Sequence, residues 1–187
     1  MTWPLAQPKD NTYWNFLEGI FDDVELDRIV EQCLALPPEP GNIGVGFRTS
    51  TIAWVPTNDP DYAWIYERLA TAVADINQSY YRFDLTEIQP LQFTTYTEET
   101  EGRYKPHIDL GQAGAGRKLS FSLQLSDPFH HKGGTLQFLH LKNEPEQAPR
   151  ARGKIIFFPS FLTHEVTPVT QGIRYSLVGW VAGPPFK

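Results

Sequence analysis

The run Tyr104-Lys105-Pro106-His107-Ile108-Asp109 sets an imidazole and a carboxylate two residues apart. On a β-strand, side chains at positions i and i+2 lie on the same face of the sheet, so His107 and Asp109 can both point at one metal ion. The pair is weak evidence by itself, because such spacings also arise by chance. A histidine hydrogen-bonded to the adjacent carboxylate is the simpler interpretation, so a metal site requires a further ligand.

His164 is the candidate for that third ligand. Residues 153–159 have the pattern of a buried strand that ends in a proline-marked turn, and His164 stands where the next strand begins. Two histidines and one carboxylate carried on strands form the facial triad of non-haem Fe(II) sites, which leaves three adjacent coordination positions open. Catalytic zinc sites use the same ligands, so the set alone does not choose the metal.

Arg174, ten residues after His164, favours iron over zinc. An iron site that activates O₂ with a 2-oxo acid must hold the far carboxylate of that acid, and arginine does this through paired hydrogen bonds. A zinc hydrolase has no use for such an arginine. Arg174 opens a strand of mostly apolar residues and therefore needs a buried partner, for which a salt bridge to an acid such as Glu165 is the alternative.

Two helices precede the strands that carry these residues. Asp22 or Asp23 caps the first helix, which ends at Pro37-Pro38. Asp59-Pro60 starts the second helix, which runs to about Asn77. Apolar residues at helical spacing predict the buried faces. These residues are Leu26, Ile29, Val30, Cys33 and Leu34 in the first helix, and Tyr66, Leu69, Ala70, Val73 and Ile76 in the second.

Short strands separated by Gly- and Pro-bearing turns fill the rest of the chain. Strands are predicted at 47–55, 88–97, 103–108, 118–125, 135–141, 154–158, 164–169 and 174–181. Many short strands at near-regular spacing are typical of a sandwich or a barrel-like double sheet. The expected fold class is α+β. One domain over 1–187 would have its helical support mainly at 22–77, bracing one face of a sheet, and its β core at about 88–182.

Composition narrows the function classes. The net charge of −6 argues against a general nucleic-acid-binding protein, which is usually basic. The single cysteine, Cys33, excludes an intrachain disulfide and fits the reducing cytoplasm, where we expect the protein to reside. No apolar run approaches the ~18 residues that span a membrane, so no membrane partner is expected. The first residues do not have the pattern of a signal peptide. The sequence leaves the oligomeric state open.

The β-rich half of the chain resembles a known family. Residues 91–181 are similar to the 2-oxoglutarate- and Fe(II)-dependent dioxygenases, in particular to the prolyl 4-hydroxylase-like group. The pieces that match in order and spacing are Tyr96, residues 104–109, 133–136, 153–159, 164–166 and 172–176, and Trp180. The resemblance implies a double-stranded β-helix (jelly-roll) core. It also implies that His107, Asp109 and His164 bind Fe(II) and that Arg174 pairs with the C5 carboxylate of 2-oxoglutarate.

The resemblance implies roles for five further residues. Tyr96 stands where the family often has a tyrosine that hydrogen-bonds the co-substrate, although a core tyrosine is the alternative. Gln124 is a departure, because some relatives have a tyrosine there that touches the co-substrate carboxylate. Leu136 would pack against the co-substrate chain. Tyr104 and Trp180 would line the substrate mouth, with a place in the core as the alternative.

The implied activity is hydroxylation of a C–H bond with O₂, coupled to decarboxylation of 2-oxoglutarate to succinate. The expected substrate is a prolyl or other residue in a peptide or protein, and a free amino acid or small metabolite is the alternative. Outside enzymes, a non-catalytic jelly-roll binding module with structural histidines is the competing hypothesis. Loss of a ligand or of Arg174 would favour that module, and none is lost.

Three polar features lie outside this set. His130 and His131 are interpreted as solvated loop histidines, because no further ligands stand at useful spacing. His140 is expected to face the surface. The polar loop 143–152 is long enough to be mobile, and its role as a lid is left open.

Overall fold

The computed structural model describes residues 13–41, 44–110, 116–139 and 144–185. The α-helical segments are α1 (Asp23–Leu34), the short α2 (Gly44–Phe47), which has non-helical backbone angles at Val45 and Gly46, and α3 (Pro60–Ile76). A π-helical stretch (Asn77–Tyr81) continues α3, and a 3-10 turn lies at Glu98–Thr100. The strands are β1 (Asn15–Leu17), β2 (Glu39–Pro40), β3 (Arg48–Thr49), β4 (Thr51–Trp54), β5 (Glu87–Ile88), β6 (Gln92–Thr97), β7 (Arg103–His107), β8 (Arg117–Gln124), β9 (His131–Gly133), β10 (Leu136–Phe138), β11 (Glu146–Gln147), β12 (Ile155–Pro159), β13 (His164–Val166) and β14 (Val169–Ala182).

Two antiparallel sheets organise these strands. The larger sheet runs β1-β12-β8-β14-β6-β4-β2, with β5 and β9 also paired to β14. The smaller sheet runs β11-β10-β13-β7-β3. No helix in the described ranges has the length and apolar character needed to cross a membrane.

The two helices begin where the sequence predicts. Asp22 Oδ1 accepts a hydrogen bond from the Glu25 amide at 2.8 Å, and Glu25 Oε2 accepts one from the Asp22 amide at 3.0 Å. This reciprocal capping box satisfies two amides that the helix itself cannot pair. Pro60 opens α3, and the Asp59 side chain accepts from the Asp61 amide. Both helices therefore have a defined start, set by local sequence.

Apolar and polar side chains alternate along the strands, so the larger sheet has one apolar face and one polar face. On the first face, Phe93 and Leu177 belong to the apolar cluster that also contains Leu69 of α3, so the helices brace this sheet. On the second face, Arg174 and Ser176 line a cavity that also takes residues from the smaller sheet. The larger sheet thus separates the helix-covered core from a polar chamber.

Some predicted boundaries are wrong, and prolines and sheet crossing explain two of them. The strand predicted at 47–55 is two strands, since the chain leaves the smaller sheet after β3 and enters the larger sheet at β4. The strand predicted at 88–97 is interrupted around Pro90, which lacks the N–H that a sheet requires. Leu34 and Ala70, predicted to be buried, are exposed at the edges of their helix faces.

The ends of two strands and the structure of one loop differ from expectation. The predicted strand 164–169 ends at Val166, and β14 begins at Val169, five residues earlier than the strand predicted from Arg174. β14 pairs with four other strands, which accounts for its length. In the polar loop 143–152, Glu146–Gln147 pairs with β10. His140 and residue 143 lie outside the described residues.

Candidate active site

Antiparallel pairing brings the two histidines together. His107 ends β7 and His164 begins β13, and these two residues are direct partners in the smaller sheet. Their rings lie 4.2 Å apart between centroids. Asp109 follows β7 by two residues, and its amide donates to the Ser160 carbonyl at 2.7 Å. One ligand atom from each of the three side chains lies within 4.8 Å of the others.

Main-chain carbonyls orient both imidazoles. His107 Nδ1 lies 2.7 Å from the Lys105 carbonyl oxygen, and His164 Nδ1 lies 2.9 Å from the Leu162 carbonyl oxygen. A carbonyl only accepts, so Nδ1 has the proton in both rings and Nε2 keeps its lone pair. The Nε2 atoms face Asp109, at 3.7 Å from Oδ1 for His107 and 3.5 Å from Oδ2 for His164. Metal-binding histidines have this arrangement.

Burial keeps the first histidine neutral. Burial and the neighbouring His164 lower the pKa of His107 to about 4, so its imidazole is uncharged at neutral pH and free to coordinate. Asp109 is also buried, and its Oδ2 accepts a hydrogen bond from Ser120 Oγ at 2.8 Å. Two imidazole nitrogens and one carboxylate, which converge at the ends of β7 and β13 and leave the cavity side open, fit the facial donor set of non-haem Fe(II).

An irregularity in β7 stacks Tyr104 on the site. Tyr104 lies three positions before His107, whereas their partners Val166 and His164 lie two positions apart, so β7 carries a bulge between Tyr104 and His107. The extra residue turns Tyr104 to the same side as His107, and the two rings stack at 3.5 Å. Burial raises the pKa of Tyr104 to about 12, so its phenol stays protonated. Tyr104 therefore forms a neutral aromatic wall beside the triad.

Arg174 lies buried in the same cavity with neutral partners. Its side chain donates to Gln124 Oε1 at 2.9 Å and to Ser176 Oγ at 3.2 Å. Within the part of the chain that the structure describes, no carboxylate pairs with it. Glu165, the alternative partner, accepts instead from Gln137 at 2.6 Å. Burial lowers the pKa of Arg174 to about 10, which leaves a cation at neutral pH that needs an anion.

Gly134 makes room for Arg174. A Cβ at this position would lie 2.8 Å from Arg174 Cδ, and the residue has a positive φ of +61°. Both conditions favour glycine. On the other side, Tyr96 is the strand partner of Arg174, and its ring centroid lies 5.5 Å from the guanidinium carbon. The arginine is thus held between a glycine turn and an aromatic ring.

The cavity has a volume of about 560 Å³ and joins nearly all the residues proposed from the sequence. Its lining includes His107, Asp109, His164, Arg174, Tyr96, Leu136, Tyr104 and Trp180. Gln124 does not line it but lies behind Arg174 as a hydrogen-bond acceptor. This volume is within the range of small-molecule sites.

Sequence reasoning did not propose several residues of the lining, and it misjudged one histidine. Arg48, Trp54 and Gln92 also face the cavity, and polar residues within β-rich stretches were the available signal. His131, expected to be solvated, is buried, with Nδ1 3.1 Å from Arg150 Nη2. Burial, then Arg150, lower its pKa to about 4. His131 belongs to β9, which pairs with β14. Sequence spacing did not reveal this pairing.

Sequence comparisons assign the β-rich region to a family. The model of the 2OG-Fe(II) oxygenase superfamily matches residues 91–182. A PKHD-type hydroxylase from Synechococcus sp. (strain CC9311) is 36% identical over 91 residues, which are 48% of this chain and 41% of that protein. The PKHD-type hydroxylase Mmar10_1675 from Maricaulis maris is 42% identical over 79 residues, which are 42% of this chain and 36% of that protein. The matches therefore span less than half the length of these curated relatives.

Solved structures show the same fold over nearly the whole chain. A prolyl-4-hydroxylase from Pseudomonas putida aligns with a TM-score of 0.77 and 20% identity, over 93% of this chain and 94% of that chain. A prolyl hydroxylase from Trichoplax adhaerens, in complex with a hypoxia inducible factor peptide fragment, aligns with a TM-score of 0.74 and 16% identity, over 92% and 84%. The jelly-roll prediction is confirmed. Residues 91–182, which contain the histidine–aspartate triad and Arg174, match the model of the 2OG-Fe(II) oxygenase superfamily.

Proposed function

We propose that this protein is a 2-oxoglutarate- and Fe(II)-dependent dioxygenase that hydroxylates a C–H bond. His107, Asp109 and His164 would hold the iron, and Arg174 would bind the far carboxylate of 2-oxoglutarate. The observation that carries this proposal is the convergence on one cavity of a preoriented His–Asp–His triad and a buried arginine that has no carboxylate partner among the described residues. A non-catalytic binding module has no need for such an arginine.

The side chains of this protein would bind, orient and enclose the reactants. When bound together, Fe(II) and 2-oxoglutarate supply the O₂ activation that oxidises a C–H bond while the oxo acid is decarboxylated to succinate. Gln124 and Ser176 hold the guanidinium of Arg174 in place for the dicarboxylate. Tyr96 lines the cavity beside Arg174 and would hydrogen-bond the same co-substrate, and Leu136 supplies an apolar wall. Strand-borne ligands favour a rigid site.

A prolyl or other residue in a peptide or protein is the substrate class that we propose. The names of the PKHD-type hydroxylases and the peptide bound to the Trichoplax adhaerens enzyme support this choice by similarity. Tyr104 and Trp180 line the cavity and offer aromatic surface to such a residue. A free amino acid or small metabolite is the second candidate, since it would also fit a cavity of about 560 Å³.

Anaerobic titration with Fe(II) and then 2-oxoglutarate tests the proposal. Wild-type protein should develop the weak visible charge-transfer band of an iron–oxo-acid chelate. His164→Ala should abolish the band because it removes a ligand, and Arg174→Ala should require much more 2-oxoglutarate to form it. Arg103→Ala serves as the control, since Arg103 lies outside the cavity lining and pairs with Glu101 at 3.3 Å.

Each outcome has a definite meaning. A band that forms in wild type and weakens only in the two cavity variants supports the iron and co-substrate assignments. Iron binding without a band would make Arg174 structural and refute the oxygenase proposal. Absence of both would favour the binding module. After a positive result, aerobic incubation with prolyl peptides and mass spectrometry should detect the gain of one oxygen atom.

A further inference from the structure

Arg48 is a second buried arginine in the cavity, and the proposed chemistry does not use it. The residue is 7% exposed and belongs to β3, where it pairs with Tyr104 of β7. Its guanidinium carbon lies 4.7 Å above the Tyr104 ring, and its side chain contributes to the cavity wall. It therefore lies near the triad but on the sheet opposite Arg174.

The hydrogen bonds of Arg48 repeat those of Arg174. Arg48 Nε donates to Ser50 Oγ at 2.9 Å, and Nη2 donates to Gln92 Oε1 at 2.7 Å. Arg174 likewise donates to a serine two residues further on and to a glutamine of another strand. In both cases all partners are neutral, and no carboxylate among the described residues pairs with either guanidinium. A buried arginine with neutral partners is suited to receive an anion.

The position of Arg48 separates it from the co-substrate site. Arg48 Nη2 approaches Thr94 Oγ1 at 3.5 Å, and Thr94 is the strand partner of Ser176. The two guanidiniums therefore reach neighbouring strands of the larger sheet, β6 for Arg48 and β14 for Arg174. Arg48 therefore offers its charge at a different strand from the one that presents Arg174.

Charge balance points to the same conclusion. Among the described residues of the lining, the cationic side chains are Arg48, Arg117 and Arg174, and the single carboxylate is Asp109. Fe(II), Asp109, doubly charged 2-oxoglutarate and Arg174 are together formally neutral. Arg48 remains without compensation. Arg117 is half-buried in the cavity wall, where it donates to Gln89 Oε1 and lies over the Trp180 ring. A buried cation without a counter-charge, such as Arg48, favours an anionic ligand.

We propose that Arg48 binds a carboxylate of the substrate. The substrate would be an acid, with its carboxylate supplied either by an acidic side chain beside the target residue of a peptide or by a free α-carboxylate. This inference rests on the proposed hydroxylase function and adds a substrate property to it. A neutral peptide held by its backbone carbonyls would not need the charge.

Matched probes test this on the wild-type protein, loaded anaerobically with Fe(II) and 2-oxoglutarate. The first pair is acetyl-Ala-Pro-Glu-amide and acetyl-Ala-Pro-Gln-amide, and the second is N-acetylproline and N-acetylprolinamide. Isothermal titration calorimetry should show that, in at least one pair, the carboxylate binds about tenfold or more tightly than its amide isostere. The pair in which the acid and the amide bind differently shows whether the carboxylate comes from an acidic side chain or from a free α-carboxylate. Equal binding within both pairs, or no binding of any probe, would overturn the inference.

The Arg48→Gln variant should lose this preference, Arg48→Lys should retain part of it, and Arg103→Gln should leave it unchanged. A preference that survives in Arg48→Gln would assign the carboxylate to another residue and refute the role of Arg48. The charge-transfer band shows whether the proposed function has failed or only the substrate inference. If wild type gives no band, the proposed function fails, whereas a band without carboxylate preference removes only the substrate inference. The wild-type comparison does not depend on the folding of any variant.

Discussion

At the scale of single residues, short-range contacts prepare the site for its ligands. Each imidazole is oriented by a carbonyl two residues earlier in the chain, so the main chain next to each histidine sets its tautomer. Arg174 is held in the same manner by Ser176, two residues later, and by Gln124 from β8. Little reorganisation would then be needed when iron and 2-oxoglutarate bind.

Changing Gln124 tests how Arg174 is held. Gln124→Ala removes a hydrogen bond to a charged group, which contributes about 1.5–3 kcal/mol, so the Kd for 2-oxoglutarate should rise roughly ten- to a hundredfold. Gln124→Glu should be worse, because its carboxylate would pair with Arg174 and compete with the co-substrate. Titration of the Fe(II)-loaded protein with 2-oxoglutarate measures the Kd of both variants. An unchanged affinity for iron is the internal control. Equal 2-oxoglutarate affinity in all three proteins would contradict the role.

Gly134→Ala tests the close approach to Arg174, and Gly19→Ala is its matched control. Both glycines have positive φ, +61° and +74°, so alanine should destabilise each fold by about 1–2 kcal/mol in urea unfolding. Only Gly134 has Arg174 within reach of a new Cβ, whereas Gly19 has no atom within 4 Å. We therefore expect only Gly134→Ala to weaken 2-oxoglutarate binding. A similar loss in Gly19→Ala would show that general destabilisation is responsible.

At the scale of elements, strand β14 connects the core to the site. It pairs with β5, β6, β8 and β9, and its alternating residues enter the helix-covered core on one face and the cavity on the other. Leu177 is fully buried in the core cluster, while Arg174 and Ser176 face the chamber. Helix packing therefore holds in register the strand that presents Arg174.

The start of α1 gives a prediction about stability at this scale. Asp22→Ala removes the capping box and should lower the free energy of unfolding by about 1 kcal/mol, measured by urea denaturation. Asp75→Ala is the charge-matched control, because Asp75 is exposed in the last turn of α3, where a negative charge opposes the helix dipole. That variant should be neutral or slightly more stable. Equal losses in both would exclude a capping effect.

At the scale of the whole molecule, two sheets of different role enclose the chamber. The smaller sheet contributes His107 and His164, and the larger contributes Arg174, so the site exists only when the two are assembled. The cytoplasmic location and the extent of the domain over 1–187 stay predictions.

Cys33 reports on this assembly, because it is buried where α1 meets the core. Burial raises its pKa to about 12, so the folded thiol stays protonated at pH 8 and should resist a disulfide reagent until urea unfolds the protein. The stabilising effect of this raised pKa is complete below the usual thiol range and is lost as pH rises toward 12. Wild type should therefore lose more unfolding free energy from pH 8 to pH 10 than Cys33→Ala. Rapid labelling of folded protein at pH 8 would contradict the burial.

Features that depend on neighbouring residues could be predicted from the sequence. The helix starts follow from Asp22 and Asp59-Pro60. The period of a strand predicted that His107 and Asp109 point at one site, and the two side chains do meet, although β7 ends at His107 and Asp109 lies beyond the strand. The resemblance added the jelly-roll core and the iron and co-substrate roles. Local chemistry therefore determined which residue types were available and where the elements begin.

Only the tertiary structure decided which distant residues meet. The pairing of His107 with His164, the bond from Arg174 to Gln124 and the burial of His131 all depend on strand register between remote segments. Arg48 enters the cavity because the chain changes sheets between β3 and β4, which propensity and alternation do not encode. Strand pairing is set by the packing of the whole core, so the second arginine of the chamber became visible only in three dimensions.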